Sequence, residues 1–331
     1  MIGPSKSKHK FISLFLKLKT SLSFPLSTYF VGSDLLGKPD KSYNCKSVFV
    51  LFLISLCFLH LLFNHVPAYA ENKSVTNTLI SKIHTKLKQY PNLICGVCVK
   101  PSWVKDSINI NGDYAFPAAS LIKIPVAVAL LQKIDKGQIS WDKVLTLKHY
   151  HYAQGAGYLR TRKVGTKIRL REAFRLMLTI SDNTATNMII DLLGGVSGAN
   201  QQILKLGLKN TRLVNWLGDF KGTNKTSPCD LAILLEKSLE GNLLSKNSKR
   251  ILKSTLLDVK NTSLIKKGLG KYTRFAHKTG TIGICVGDAG IIYFPFGKRI
   301  AISILVKRPF NNLNGQKIIR EISRIVYENL G

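Results

Sequence analysis

A serine and a lysine three residues apart, in Ser120-Leu121-Ile122-Lys123, could carry out nucleophilic acyl transfer if one helix holds both. Residues three apart share a helix face, so the lysine amine can reach the hydroxyl and take its proton, provided a second cation depresses its pKa. Two later motifs complete a constellation of that kind: Ser181-Asp182-Asn183, sixty-one residues after Ser120, and Lys278-Thr279-Gly280, ninety-seven residues after Ser181. Lys278 is the candidate second cation. Ser-x-x-Lys alone carries no weight, because it also starts at Ser5, Ser7, Ser102, Ser140 and Ser263.

Ser120 differs from those five in its setting. The segment Tyr114 to Ala119 leads directly into an apolar run of helical character that ends near Gly137, which places the serine at a helix N-terminus. The first turn there offers unpaired N–H groups and the positive end of the helix dipole, both favourable to a developing oxyanion.

The elements around these motifs follow from periodicity. Val75, Leu79, Ile83 and Leu87 mark an amphipathic helix over 72–90 that Pro91 ends, and strands are expected at 93–100 and 108–111. From Ala119 to about Asp258 the chain reads as mostly helical, with helices at 168–179, 184–193, 229–239 and 246–257. Alternation then indicates strands at 272–278, 284–294 and 299–306, with a hairpin turn at 294–297 and a last helix over 315–329. The fold class is α+β: an antiparallel β-sheet flanked by N- and C-terminal helices, with an all-α insert. Residues 71–118 and 270–331 would form the sheet subdomain and 119–269 the mainly helical one.

The first 70 residues read as a targeting region. An apolar stretch of sixteen residues, 48–63, follows Lys46 and precedes Ala68-Tyr69-Ala70, the order of a basic flank, an apolar region and a cleavage site. Cleavage after Ala70 is expected; the competing reading is an uncleaved anchor, although a spanning helix needs about 20 apolar residues. The protein is therefore expected outside the cytoplasm, in the periplasm or beyond. A membrane contact is expected only through that segment, and a monomer is expected.

The net charge is +31, and residues 71–331 carry 41 basic against 16 acidic side chains, net +25. The lysines are dispersed and no nucleic-acid motif accompanies them, so a specific nucleic-acid partner is not expected. A basic exported protein meeting anionic wall or membrane material accounts for the charge. Four cysteines follow residue 70: Cys95, Cys98, Cys229 and Cys285. Cys95 and Cys98 lie in a strand-like run where residues three apart point to opposite faces, so buried thiols are expected rather than a redox or zinc pair. One disulfide between distant cysteines is the alternative. No zinc-ligand spacing and no phosphate-binding glycine loop appears, and no metal or cofactor is implied.

The three motifs in this order resemble class A β-lactamases and their penicillin-binding relatives. The segments Gly155-Ala156-Gly157-Tyr158, Gly165-Thr166, Leu176-Met177-Leu178, Asn183 to Asn187 and Thr211-Arg212-Leu213 are similar to that family's connecting text. The resemblance implies Ser120 as nucleophile, Lys123 as proton acceptor and Ser181 as proton donor to the leaving nitrogen. It implies that Asn183 binds the acyl side chain and steadies Lys123, and that Lys278 with Thr279 holds the substrate carboxylate. Gly280 would let substrate lie along its strand, and the N–H groups of Ser120 and Thr281 would form the oxyanion hole, each donor worth about 3 kcal/mol of barrier.

The chain also departs from the family. Where class A enzymes carry the glutamate that activates the deacylating water, Leu217 stands, and the loop from there to Pro228 is shorter than usual. Asp219 is the nearest acid. Cys285-Val286-Gly287 occupies the stretch where many relatives place an arginine. The expected activity is opening of a β-lactam or related acyl-D-Ala-type amide through an acyl-Ser120 intermediate. The alternatives are a D-Ala-D-Ala peptidase or other cell-wall amide hydrolase, a slowly deacylating penicillin-binding sensor, and a basic polymer binder.

Overall fold

The computed structural model describes residues 75–104 and 106–331, with Ser55 alone before them. The expected targeting region, its cleavage site, Cys45 and Cys57 lie outside the described residues. From residue 75 on, the chain belongs to one compact unit.

A helix described over 75–87 (α1) buries Leu79 and Ile83 on the stripe that the four-residue rhythm indicates. It leads to β1 (Ile94–Pro101), which pairs antiparallel with β2 (Ile108–Ile110). After β3 (Phe116–Pro117) comes a 3-10 turn, Ala119–Ile122, and then α2 (Lys123–Asp135). Two short strands, β4 (Val144–Thr146) and β5 (Lys167–Arg169), precede α3 (Leu170–Thr179) and α4 (Asn183–Leu192). There follow α5 (Gly195–Leu204), β6 (Lys225–Thr226), α6 (Pro228–Leu239), α7 (Lys246–Leu257) and a four-residue turn of helix, α8 (Ile265–Gly268). The chain closes with β7 (Arg274–Ile282), β8 (Cys285–Tyr293), β9 (Arg299–Lys307) and α9 (Asn314–Leu330).

The five-stranded sheet has the order β2-β1-β9-β8-β7, antiparallel throughout, so strands from both ends of the chain meet at β1 and β9. Alternation divides its residues between two cores. Val97, Val99, Ile302 and Ile304 pack with Leu79 and Ile83 of α1 and with Ile318, Ile319 and Ile322 of α9. Cys98, Ala276, Ala289 and Leu305 face the apolar α2 and the helical region beyond it. This is the α+β arrangement read from the sequence, a sheet covered by the terminal helices with a helical insert on its other face.

Several local readings change. The start of the helix expected from residue 168 is β5, because Ile168 pairs with Leu145 and is buried there. A second short ladder, Phe116 opposite Thr226, joins β3 to β6, so the insert is not wholly helical. Gly194-Gly195 reads as a helix stop but is also a start: Gly194 adopts φ 98° and caps α5, which no periodicity announced. The expected boundaries at 246–257 hold, and α6 starts one residue earlier than expected, at Pro228 in its first turn, where Ser227 accepts from the Asp230 N–H.

Candidate active site

Ser120 sits in the 3-10 turn entering α2, immediately after Ala119, whose φ is +45°. That left-handed backbone is uncommon for a residue with a Cβ and is held by the surrounding structure. Lys123, the first residue of α2, is fully buried, and its Nζ lies 3.2 Å from Ser120 Oγ. The three-residue spacing thus delivers the contact that it suggested.

A second strained backbone faces this pair. Ser181 has φ +61° at the joint between α3 and α4, which turns its carbonyl toward Lys123 Nζ at 2.6 Å and its Oγ to 2.9 Å. Asn183 Oδ1 accepts from the same amine at 2.7 Å. A neutral amine has two N–H donors and one lone pair. With the Ser181 and Asn183 carbonyl oxygens taking the two donors, the lone pair is left for a serine hydroxyl. The other end of the Asn183 amide donates to Gln154 O at 2.7 Å, so both ends are committed inside the protein. Asn183 does not cap its helix; Asp182 does, accepting from the Ala185 N–H at 2.8 Å. The same carboxylate also accepts from the N–H groups of Tyr158 and Leu159, tying down the loop before them.

The Lys-Thr-Gly motif lies on β7, the edge strand of the sheet, against the serine turn. A Cβ built on Gly280 would stand 3.0 Å from the backbone nitrogens of both Ser120 and Leu121. Glycine is therefore what allows strand and turn to approach. Lys278 is 1 % exposed and donates from Nζ to Thr279 O at 2.7 Å. Burial lowers its pKa to about 8, with Asp288 opposing the shift. Burial likewise holds Lys123 well below the ordinary lysine value, and the nearby charge of Lys278 adds to the depression.

Ser120, Ser181, Lys278, Thr279 and Thr281 line one cavity of about 290 Å³ together with Thr179, Ile180 and the Val259-Lys260-Asn261 loop. Among the described residues lining it there is no Asp, Glu or His. Leu217 is 7 % exposed, and its backbone is held on both sides by Asn187, whose Oδ1 accepts from Leu217 N at 2.9 Å and whose Nδ2 donates to Leu217 O at 2.7 Å. The peptide that follows, Leu217-Gly218, is cis. Asp219 turns into its own loop, accepting from the Asn224 N–H at 2.7 Å.

Sequence reasoning missed Arg308. It leaves the end of β9, is 6 % exposed, and donates from Nη2 to Thr281 Oγ1 at 3.2 Å and to Ile282 O at 3.3 Å. An arginine therefore reaches the end of β7 after all, from the end of β9 rather than from the Cys285-Val286-Gly287 stretch of β8. Among the described residues no group of His, Cys, Asp and Glu could hold a metal ion, and no helix is long and apolar enough to cross a membrane.

A family model described as the beta-lactamase enzyme family matches residues 78–330. Beta-lactamase VEB-1 of Pseudomonas aeruginosa is 28% identical over 302 residues, covering 83% of this chain and 96% of that protein. Among solved structures, PBP-A is 43% identical with a TM-score of 0.74, over 76% of this chain and 95% of its own. A leucine-to-glutamate variant of PBP-A, solved as an acyl-enzyme complex with penicillin G, superposes with the same TM-score of 0.74. The TLA-1 extended-spectrum beta-lactamase is 30% identical with a TM-score of 0.71, over 77% of this chain and 99% of its own. The chain belongs to the beta-lactamase enzyme family.

Proposed function

We propose that this member of the beta-lactamase family opens the amide of β-lactams, and of related acyl-D-Ala-type peptides, through an acyl-Ser120 intermediate that water releases slowly. Ser120 Oγ attacks the carbonyl carbon while its proton passes to Lys123 Nζ. The N–H groups of Ser120 and Thr281 receive the oxyanion. When the carbon–nitrogen bond breaks, the leaving nitrogen takes the Ser181 hydroxyl proton, and Lys123 returns a proton to Ser181. Lys278, Thr279 and Arg308 hold the substrate carboxylate, and Gly280 lets substrate lie along the β7 edge.

One observation carries the slow release: the described residues lining the cavity offer Lys260 and Lys278 and no carboxylate or imidazole to activate a water. Leu217 supplies no acid, and the Asp219 carboxylate is engaged inside its own loop. General bases contribute about 10²–10⁴ in rate, so acylation proceeds while hydrolysis of the ester lags. The similarity to PBP-A, whose leucine-to-glutamate variant forms an acyl-enzyme with penicillin G, supports acylation at Ser120; a D-Ala-D-Ala peptidase using the same serine is the second reading. An exported location, with the apolar stretch 48–63 as signal or anchor, belongs to this proposal.

Burst kinetics with benzylpenicillin test it. One equivalent of lactam consumed rapidly, followed by a slow steady rate, is expected. A linear rate without a burst, with drug consumed many times over, contradicts slow deacylation.

A further inference from the structure

The four described cysteines are all buried and free, yet they are not equivalent. Cys95 and Cys98 occupy opposite faces of β1: Cys95 packs in the core under the terminal helices and Cys98 in the core toward the helical region. Cys285 lies on β8, with β9 between it and β1. Two strand spacings separate Cys95 from Cys285, about 10 Å, beyond the roughly 7 Å between Cα atoms that a disulfide spans. Cys98 and Cys229, in contrast, are 131 residues apart in sequence with their Sγ atoms 2.7 Å apart.

Both backbones of that pair are fixed. Cys98 lies mid-strand, opposite Asn109 of β2 and Ser303 of β9. Cys229 is in the first turn of α6, and its N–H donates to Gly112 O at 2.9 Å. A Cβ on Gly112 would come within 2.6 Å of Cys229 Sγ, so the glycine makes room for the sulfur. From the sulfur contact and the pinned backbones we propose that Cys98 and Cys229 are a disulfide-forming site. It staples α6, and with it the end of the loop that carries Leu217, to the central sheet.

The chemistry assigns roles. The hydrogen bond shared by the two thiols lowers the Cys229 pKa against the opposing effect of burial, and raises that of Cys98. Thiols at helix N-termini are also the more acidic ones. Burial raises Cys95 and Cys285 to about 12, which keeps both unreactive. During folding, Cys229 as thiolate attacks one sulfur of an external disulfide, such as oxidised glutathione or a thiol oxidase, and releases one thiol. Cys98 gives up its proton and attacks Cys229 Sγ in the mixed disulfide, releasing the second thiol. Two electrons and two protons pass to the external disulfide, which ends as two thiols.

The test uses the full chain refolded in a buffer of reduced and oxidised glutathione, alkylated under denaturing conditions and mapped by mass spectrometry without reduction. A Cys98–Cys229 linked peptide, with Cys95 and Cys285 alkylated, is expected. Alkylation of both Cys98 and Cys229, or a bond from either to another cysteine, overturns the proposal. As a second measurement, dithiothreitol should lower the melting temperature of the wild type by roughly 5–15 °C and leave Cys98→Ala and Cys229→Ala unchanged. Identical wild-type melting with and without reductant also overturns it. Labelling of Ser120 by penicillin does not depend on this bond, so the two proposals fail separately.

Discussion

Replacing Lys278 by methionine separates what the residue does for catalysis from what it does to stability. The side chain is 1 % exposed, and its pKa falls from 10.5 to about 8, with burial the main cause. At pH 7 that depression costs the folded state about 3 kcal/mol, because each tenfold shift in protonation is worth about 1.4 kcal/mol. The folded group titrates near 8 and the unfolded one near 10.5, so between those values the unfolded chain binds more protons. Wild-type stability therefore gains a contribution as pH rises through that window, and the contribution is lost again toward neutrality. Methionine removes it. It also leaves Thr279 O without its 2.7 Å donor, an opposing cost of about 1–3 kcal/mol that does not vary with pH. The heights of the two stability curves are thus less informative than their difference. Urea unfolding of both proteins from pH 7 to 10.5 should show the difference shifting against the variant by about 3 kcal/mol. Acylation by benzylpenicillin should fall by about a hundredfold with the loss of the carboxylate partner. Parallel stability curves would refute the reasoning about buried charge at this site.

Acylation should have a bell-shaped pH dependence: it falls at low pH as Lys123 becomes protonated at its depressed pKa, and falls above about 8 as Lys278 loses its charge; a flat profile from pH 5 to 9 in stopped-flow acylation would contradict both assignments. Leu217→Glu should speed deacylation by about 10²–10⁴ while lowering the melting temperature, since it buries a carboxyl at a 7 % exposed position; nitrocefin turnover and a thermal scan check the two halves. Asp182→Ala removes a helix cap and two further backbone contacts, at 2.8 and 2.9 Å; a loss of about 3 kcal/mol in urea unfolding is expected. Arg308→Ala should raise KM for carboxylate-bearing lactams about tenfold, with kcat little changed; an unchanged KM would remove Arg308 from the substrate site.

Much of this site was legible because its chemistry is local. Ser120 and Lys123 are one helical turn apart, and Lys278 to Gly280 lie on one strand. The terminal helix was legible too, since Ile318, Ile319 and Ile322 form an unbroken buried stripe. What escaped depends on topology or on backbone conformation. Arg308 reaches Thr281 only because β9 and β7 flank β8 from either side and both end beside Cys285. The Cys98 and Cys229 contact spans 131 residues, and no local pattern announces it. Asp182 and Asn183 are both good capping residues, and only the fold assigns the cap to the first and the Lys123 contact to the second. The glycine pair at 194–195 breaks one helix and starts another, because a left-handed residue can do either.

The central claim is a covalent acyl-enzyme on Ser120, released slowly. Mass spectrometry of the wild type and of Ser120→Ala, mixed with benzylpenicillin and followed from milliseconds to hours, tests it most directly. One penicilloyl adduct on the peptide containing Ser120, persisting after free drug is removed and absent from Ser120→Ala, is the predicted result. No adduct at any time, or an adduct that survives in Ser120→Ala, would contradict the account.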